Sequence, residues 1–225
     1  MTRLAGPMRR EQLLDTGEKV FARLGYSRAT TSELARSAGV TEPIIYQHFK
    51  SKRELFIALI ERTAERTLRL WQQELAQATD PAERLRRLLG ENPMVSPEHR
   101  AAYRVILHAM IEAGEPEIQR AAAEHIGRLH AFLAGEVKRA QGERKVTRVF
   151  TADLIAWLLI QVALGYGMLS GMDPPATSAE AEGARVRQAI ERILVGRGRR
   201  ARRGRGSEPE ADAETPEQGE RAAEA

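Results

Sequence analysis

Residues 30–56 read TTSELARSAGVTEPIIYQHFKSKRELF. Thr30, with Glu33 three positions on, has the spacing of a capping box, which opens a helix. Leu34, Ala35 and Ala38 give that helix an apolar stripe, and Gly39 ends it where a left-handed residue is required. Val40 is placed to fill the angle to the next element. Thr41 caps a second helix, with Pro43 in its first turn, where a missing N–H costs little. Ser51 with Glu54 forms another capping box and opens a third helix. Two short helices joined by a glycine turn make a helix-turn-helix, a unit that lays its second helix in the major groove of DNA.

Outward from this segment the chain is helical throughout. A helix precedes it from about Arg9 to Leu24, with Leu13, Val20, Phe21 and Leu24 on one face. The helix after Ser51 carries Leu55, Phe56, Leu59, Ile60 and Trp71 and reaches about Ala78, long enough to belong to two domains. Asp80-Pro81 opens a short helix to Gly90, and 91–97 is a loop. Tyr103, Ile106, Leu107, Met110 and Ile111 share a helix ending at Gly114. Glu115-Pro116 starts another, extending to about Gln141. An apolar helix spans about Thr147 to Gly171 and stops at Asp173-Pro174-Pro175. Ser178 begins the last, with Val186, Ala189, Ile190, Ile193 and Leu194 as its inner stripe. With no strand signal, the expectation is an all-α protein of about nine helices. Residues 1–8 read as a disordered arm and 9–56 as the helix-turn-helix domain. A larger helical domain follows over 57–195. Residues 196–225, an arginine-rich run and then scattered acids, read as a disordered tail.

The formal net charge of the 225 residues is only +4, so distribution says more than the total. Residues 1–53 hold ten Lys and Arg against five acids, an excess that attracts phosphates. There is no cysteine, which excludes disulfides, thiolate catalysis and thiol-based zinc sites. The N-terminus has a basic pair and an amphipathic helix rather than a signal peptide, so a cytoplasmic location is expected. Leu154 to Met172 is uncharged over a length near that of a membrane span. Gln161, Ser170 and three glycines lower its hydrophobicity, and the expected reading is a buried core-and-interface helix.

The matching features of the first 60 residues are Val20, Phe21, Leu24 and Gly25-Tyr26 ending a helix, then TTSELARSAGV, then TEPIIYQHFKSKREL. They resemble the DNA-binding domain of the TetR family of transcriptional regulators. The Ala38-Gly39-Val40 turn, the Tyr46-x-His48-Phe49 ending and the Lys50-Ser51-Lys52 start carry the resemblance. It implies that Thr41, Glu42 and Pro43 stand nearest the base edges. There Glu42 would accept from a cytosine amino group and Pro43 would pack on a thymine methyl. Alternatively, Glu42 only favours the positive end of its helix. Gln47 would add a base or phosphate contact, and Tyr46 and His48 would donate to phosphates. Lys52 would serve an anion at the start of its helix, and Thr30 and Thr31 would place hydroxyls on the DNA backbone.

The family further implies a homodimer on a palindrome, its two reading helices about 34–36 Å apart. The last two helices are expected to form the interface. Gly165, Gly167 and Gly171 would allow close approach, and Val186, Ile190, Ile193 and Leu194 would supply apolar area. A small, largely apolar effector would sit in the larger domain, with Trp71, Tyr103, His108, Met110, Phe150 and Trp157 as candidate lining. His108 and Glu112 lie four apart, yet two ligands make no metal site, and no cofactor is expected. The chain carries no HExxH or phosphate loop, and its histidines are scattered, so an enzyme finds no support. The partners expected are double-stranded operator DNA, a small-molecule effector and a second copy, with no membrane. The expected function is that of a repressor released by its effector, with a DNA-binding activator, or a helical protein-binding module without operator recognition, as the alternatives.

Overall fold

The computed structural model describes residues 6–90, 92, 99–112, 114–169 and 179–195. Those residues form nine α-helices and no strand: α1 (Gly6–Arg28), α2 (Thr31–Ala38), α3 (Glu42–His48), α4 (Lys52–Ala76), α5 (Pro81–Gly90), α6 (Arg100–Ile111), α7 (Pro116–Gly142), α8 (Ala152–Leu169) and α9 (Ala179–Val195). α1 begins at Gly6, so residues 6–8, expected in a disordered arm, form its first turn instead. The arginine-rich segment from Gly196 onward lies outside the described residues, as does most of the 91–97 loop.

α1, α2 and α3 pack on the start of α4 around Phe21, Leu34, Ile45, Phe49 and Phe56, all buried. Phe21 meets Phe56 edge to face, with centroids 4.8 Å apart, and the Arg10 guanidinium lies 4.7 Å from the Phe49 ring centroid. Thr30 caps α2 as expected, its hydroxyl accepting from the Glu33 N–H at 3.1 Å. Gly39 ends α2 with φ 66°, and its N–H closes back onto the last turn. Thr41 departs from expectation. It precedes α3 in extended conformation, but its side chain makes no cap.

α4 runs from this unit into the larger domain, where α5, α6 and α7 pack around it and α8 lies along α7. Arg62 on α4 is almost fully buried and reaches Glu11, Asp15 and Glu18 of α1 at 3.2, 2.8 and 3.0 Å. Arg84 of α5 pairs in two-pronged fashion with the buried Glu136 of α7, at 2.7 and 2.8 Å. The same guanidinium also donates to the carbonyls of Leu75 and Ala78, closing the end of α4. By length and composition α8 would also suit a membrane span, with a mean hydropathy of 1.6. Its Ile155, Ala156, Leu159, Ile160 and Ala163 instead form one face buried within the helical domain.

Candidate functional site

α3 is too short to hold itself, so its position depends on two anchors. Ile45 and Phe49 bury one face, and the Glu42 carboxylate, at the first position, accepts hydrogen bonds from the hydroxyls of Thr31 and Ser32 on α2. Those two hydroxyls lower the Glu42 pKa below the usual carboxylate range. Glu42 thus fixes the angle between α2 and α3, and Thr31 spends its hydroxyl proton on that contact. Thr41, Pro43, Tyr46 and Gln47 remain exposed along the outer face, Tyr46 at 51%, and His48 is half-buried beside them. Tyr46 and Gln47 therefore project together from the helix that a major groove would receive.

Lys52 departs from its expected role. Its ammonium turns inward, donating to the carbonyls of Tyr26 at 2.9 Å and Ala29 at 3.0 Å and lying 4.2 Å from the Tyr26 ring centroid. Burial lowers its pKa, while the carboxylates of Glu112 and Glu115 act in the other direction. The side chain ties the end of α1 to the start of α4. At that start, Ser51 accepts from the Glu54 N–H, and the Glu54 carboxylate accepts the N–H of Lys50.

Gly25 interrupts α1 with φ 74° and ψ 173°, a conformation for which glycine is needed. His108 of α6 sits over it, so closely that a Cβ on Gly25 would lie 2.7 Å from the imidazole Nδ1. His108 was expected to line a cavity; it belongs to the joint between the two halves. Burial lowers its pKa, with Arg104 and Arg28 adding to the effect. Around it, Ser27 donates to Glu112 at 2.9 Å and Tyr26 to Glu115 at 3.1 Å. Arg53 pairs with Glu115 at 3.3 Å and with Glu117 at 3.1 Å. The turn between α6 and α7 is thereby fastened to the end of α1. Sequence reasoning missed this joint, because residues some 60 to 90 positions apart leave no local pattern; Gly25 before Tyr26 was the one visible signal.

The other expected lining residues separate into two groups. Trp71 and Tyr103 are buried in the core of the larger domain. Met110, Phe150 and Trp157 are exposed instead, and Trp157 stacks on His130 at 4.5 Å while remaining 42% exposed. Met110 and Trp157 lie on the apolar helices α6 and α8 but turn outward, and Phe150, expected within the apolar helix, lies in the bend before α8 begins at Ala152. The buried polar residues were missed: Arg62, Thr63, Thr67, His125 and Glu136. His125 occupies an inward position in the α7 stripe of Ile118, Ala122, Ile126, Leu129 and Leu133, and that break in an apolar series was readable. Among the described residues, no group of three or more His, Cys, Asp or Glu is placed to hold a metal.

On the α8–α9 side, Leu154, Trp157, Leu158, Val162, Met168, Leu169 and Ile193 are exposed, and Gly165, Gly167, Val186 and Ile190 are half-buried. Leu194, expected at an interface, faces the other way: it is 6% exposed, lies in the subunit's own core, and its carbonyl accepts the Thr147 N–H. Gly171 lies outside the described residues.

An all-helical chain with a buried-faced helix-turn-helix at one end and a larger helical domain behind it defines a class of DNA-binding regulators. The sequence pattern of bacterial regulatory proteins of the tetR family matches residues 13–59. That of the BetI-type transcriptional repressor C-terminal domain matches residues 81–195. The chain belongs to the TetR family of transcriptional regulators. It is 31% identical over 165 residues to the HTH-type transcriptional regulator BetI of Serratia proteamaculans, covering 70% of this chain and 82% of that one. It is 42% identical over 84 residues to the HTH-type transcriptional activator FasR of Mycolicibacterium smegmatis, a match covering 37% of this chain and 38% of FasR. The fold is similar to that of a transcriptional regulator from Saccharomonospora viridis in complex with choline. There the TM-score is 0.75 at 23% identity, over 85% of this chain and all of that one.

Proposed function

We propose that this regulator binds a palindromic operator as a homodimer and is a repressor released by a small, largely apolar molecule. In this reading residues 9–56 contact DNA and 57–195 bind the effector and the second copy. The observation that carries it is the division of α3 into two faces. Ile45 and Phe49 are buried, while Pro43, Tyr46 and Gln47 stand free of internal apolar packing on an exposed face. Tyr46, His48 and the Thr30 hydroxyl are the proposed backbone contacts; Thr41, Pro43 and Gln47 are the proposed readers of base edges. For Glu42, Thr31 and Lys52 the reading becomes one of support, since their polar atoms already hold α2, α3 and α4 in place.

Dimerisation is supported by the exposed apolar residues of α8 and α9. Leu154, Trp157, Leu158, Val162, Met168 and Leu169 are all exposed on α8, and so many apolar side chains on one helix call for a cover. Repression is supported by the BetI-type repressor pattern over residues 81–195. Activation is the alternative, and the FasR match that favours it covers only 37% of this chain. A protein-binding module without operator recognition would leave the outward Tyr46 and Gln47 without a task.

Release follows from the joint. A ligand lowers operator affinity only by binding the DNA-incompetent arrangement better than the competent one. α6 and the turn after it touch the end of α1 through His108, Glu112 and Glu115, so rearrangement of the larger domain reaches the helix-turn-helix there. The test is reciprocal titration. Operator affinity is measured with and without effector, and effector affinity with and without operator, Trp71 fluorescence reporting entry. The two ratios should be equal. Effectors that bind tightly yet leave operator affinity unchanged, across a broad screen, would overturn release by ligand.

A further inference from the structure

Within the larger domain, α4, α6 and α7 enclose a line of aromatic and polar side chains. Thr67 and Trp71, four apart on α4, share one face. The Thr67 hydroxyl is 2.9 Å from the Tyr103 hydroxyl on α6, and the Tyr103 ring is 5.9 Å from His125 on α7. Trp71 stacks on Phe132, also on α7, at 5.5 Å. His125 and Phe132 are two turns apart on the same face of α7. Trp71 and His125 therefore lie along one seam, 1% and 0% exposed.

Among the described residues, the indole Nε1 of Trp71 and both ring nitrogens of His125 have no hydrogen-bond partner. The other polar groups of this core are served. Thr63 donates to the Leu59 carbonyl, Thr67 pairs with Tyr103, and Glu136 is held by Arg84. Arg62 leaves only its Nε without a partner, while its other nitrogens bind three carboxylates. An unpaired buried polar atom costs its full desolvation, so three on one seam call for a use.

We infer that the seam between Trp71 and His125 recognises an uncharged, largely apolar molecule through one carbonyl or hydroxyl oxygen. The donor count selects that group. The indole offers one N–H and a neutral imidazole offers one N–H and one lone pair. A carbonyl oxygen has two lone pairs for the two donors, and a hydroxyl oxygen can also give its proton to the imidazole. Burial, with Arg128 adding to it, holds the His125 pKa down at about 4, which keeps the ring neutral at pH 7. A permanent cation finds no counter-charge here, because Glu136, the one buried carboxylate among the described residues, is already taken by Arg84. It also finds one Trp71 face covered by Phe132. A carboxylate finds no enclosed cation, since Arg62 and Arg84 are both committed and Arg128, which acts on His125, is exposed.

This inference rests on the ligand-responsive reading above, and its test separates the two. The full-length protein is titrated calorimetrically with three probes of similar size: butylbenzene, 4-phenyl-2-butanone and phenethyltrimethylammonium. The ketone should bind at least about tenfold more tightly than the hydrocarbon, with the cation weakest. His125→Phe and Trp71→Phe should each remove most of the ketone's advantage and leave hydrocarbon affinity within about threefold. His125→Phe should also raise the melting temperature of the ligand-free protein, because it removes two unpaired atoms from the core. Where one variant fails to fold, the other and the wild-type ranking decide. Equal binding of ketone and hydrocarbon, tightest binding of the cation, no binding of any probe, or an advantage surviving both substitutions overturns the inference. If the ketone is preferred but leaves operator affinity unchanged, the inference stands and release by this ligand class falls.

Discussion

The two halves of this molecule handle their polar groups in opposite ways. In the α1–α3 unit the buried face is apolar, and the polar side chains either tie helices together or stand in solvent. In the α4–α7 core, polar groups are enclosed, and three atoms on Trp71 and His125 have no protein partner among the described residues. A surface that meets DNA can keep its donors in water until the duplex replaces that water. A core that meets a small molecule has no such reserve and must carry its donors unpaired or not at all. On the proposed reading, exposure marks the first kind of site, and missing partners mark the second.

The sharpest way to break the comparison is to disturb one half alone. Glu136→Ala leaves the Arg84 guanidinium enclosed without its carboxylate, and should lower stability by about 3–5 kcal/mol in denaturant unfolding. A loss under about 1 kcal/mol would mean that water reaches Arg84 and that the core is wetter than described.

Next in size is a pH effect. Burial depresses the His125 pKa from 6.5 to about 4 in the folded protein. Between those values the unfolded chain binds the extra proton, so stability is fully present above about pH 6.5 and is lost as pH falls toward 4. The loss is on the order of 3 kcal/mol from this group. His108 is shifted in the same direction, so the comparison is with His125→Phe, whose unfolding should fall less over the same window. Parallel curves for wild type and variant would remove His125 from the core's account.

Lys52→Met sharpens the comparison on the DNA-binding side. The lost bonds to the Tyr26 and Ala29 carbonyls should cost about 1–2 kcal/mol of stability without any DNA present. A variant of unchanged stability that loses operator affinity would return Lys52 to the phosphates. The smallest expected effect is that of Tyr46→Phe. It should leave the melting temperature unchanged and weaken operator binding up to about tenfold, or ~1.4 kcal/mol, for all sequences alike.

The sequence made the first half legible because each decisive signal there is local. Thr30 caps the helix three residues before Glu33 joins it, Gly39 supplies the left-handed stop, and Ile45 and Phe49 repeat at helical spacing. The reversals also have physical reasons. Glu42 and Lys52 are near the DNA face in sequence, but their partners are Thr31, Ser32, Tyr26 and Ala29, which no local pattern names. In the second half, Met110, Phe150 and Trp157 looked like Trp71 and Tyr103, since an apolar face reads the same whether turned into a core or toward solvent. Leu194 fell on the wrong side for that reason, and His108 was placed in a cavity because nothing local shows that Gly25 lies beneath it.

The most direct measurement is selection of bound sequences from a random pool of duplex DNA by the full-length protein, with the mass of the bound species recorded. The account predicts inverted repeats whose half-sites lie about one helical turn apart, held by a dimer, with affinity falling steeply as salt rises. Tyr46→Phe should recover the same repeats at lower affinity. Single asymmetric half-sites held by one copy, or no enriched sequence at all, would contradict it.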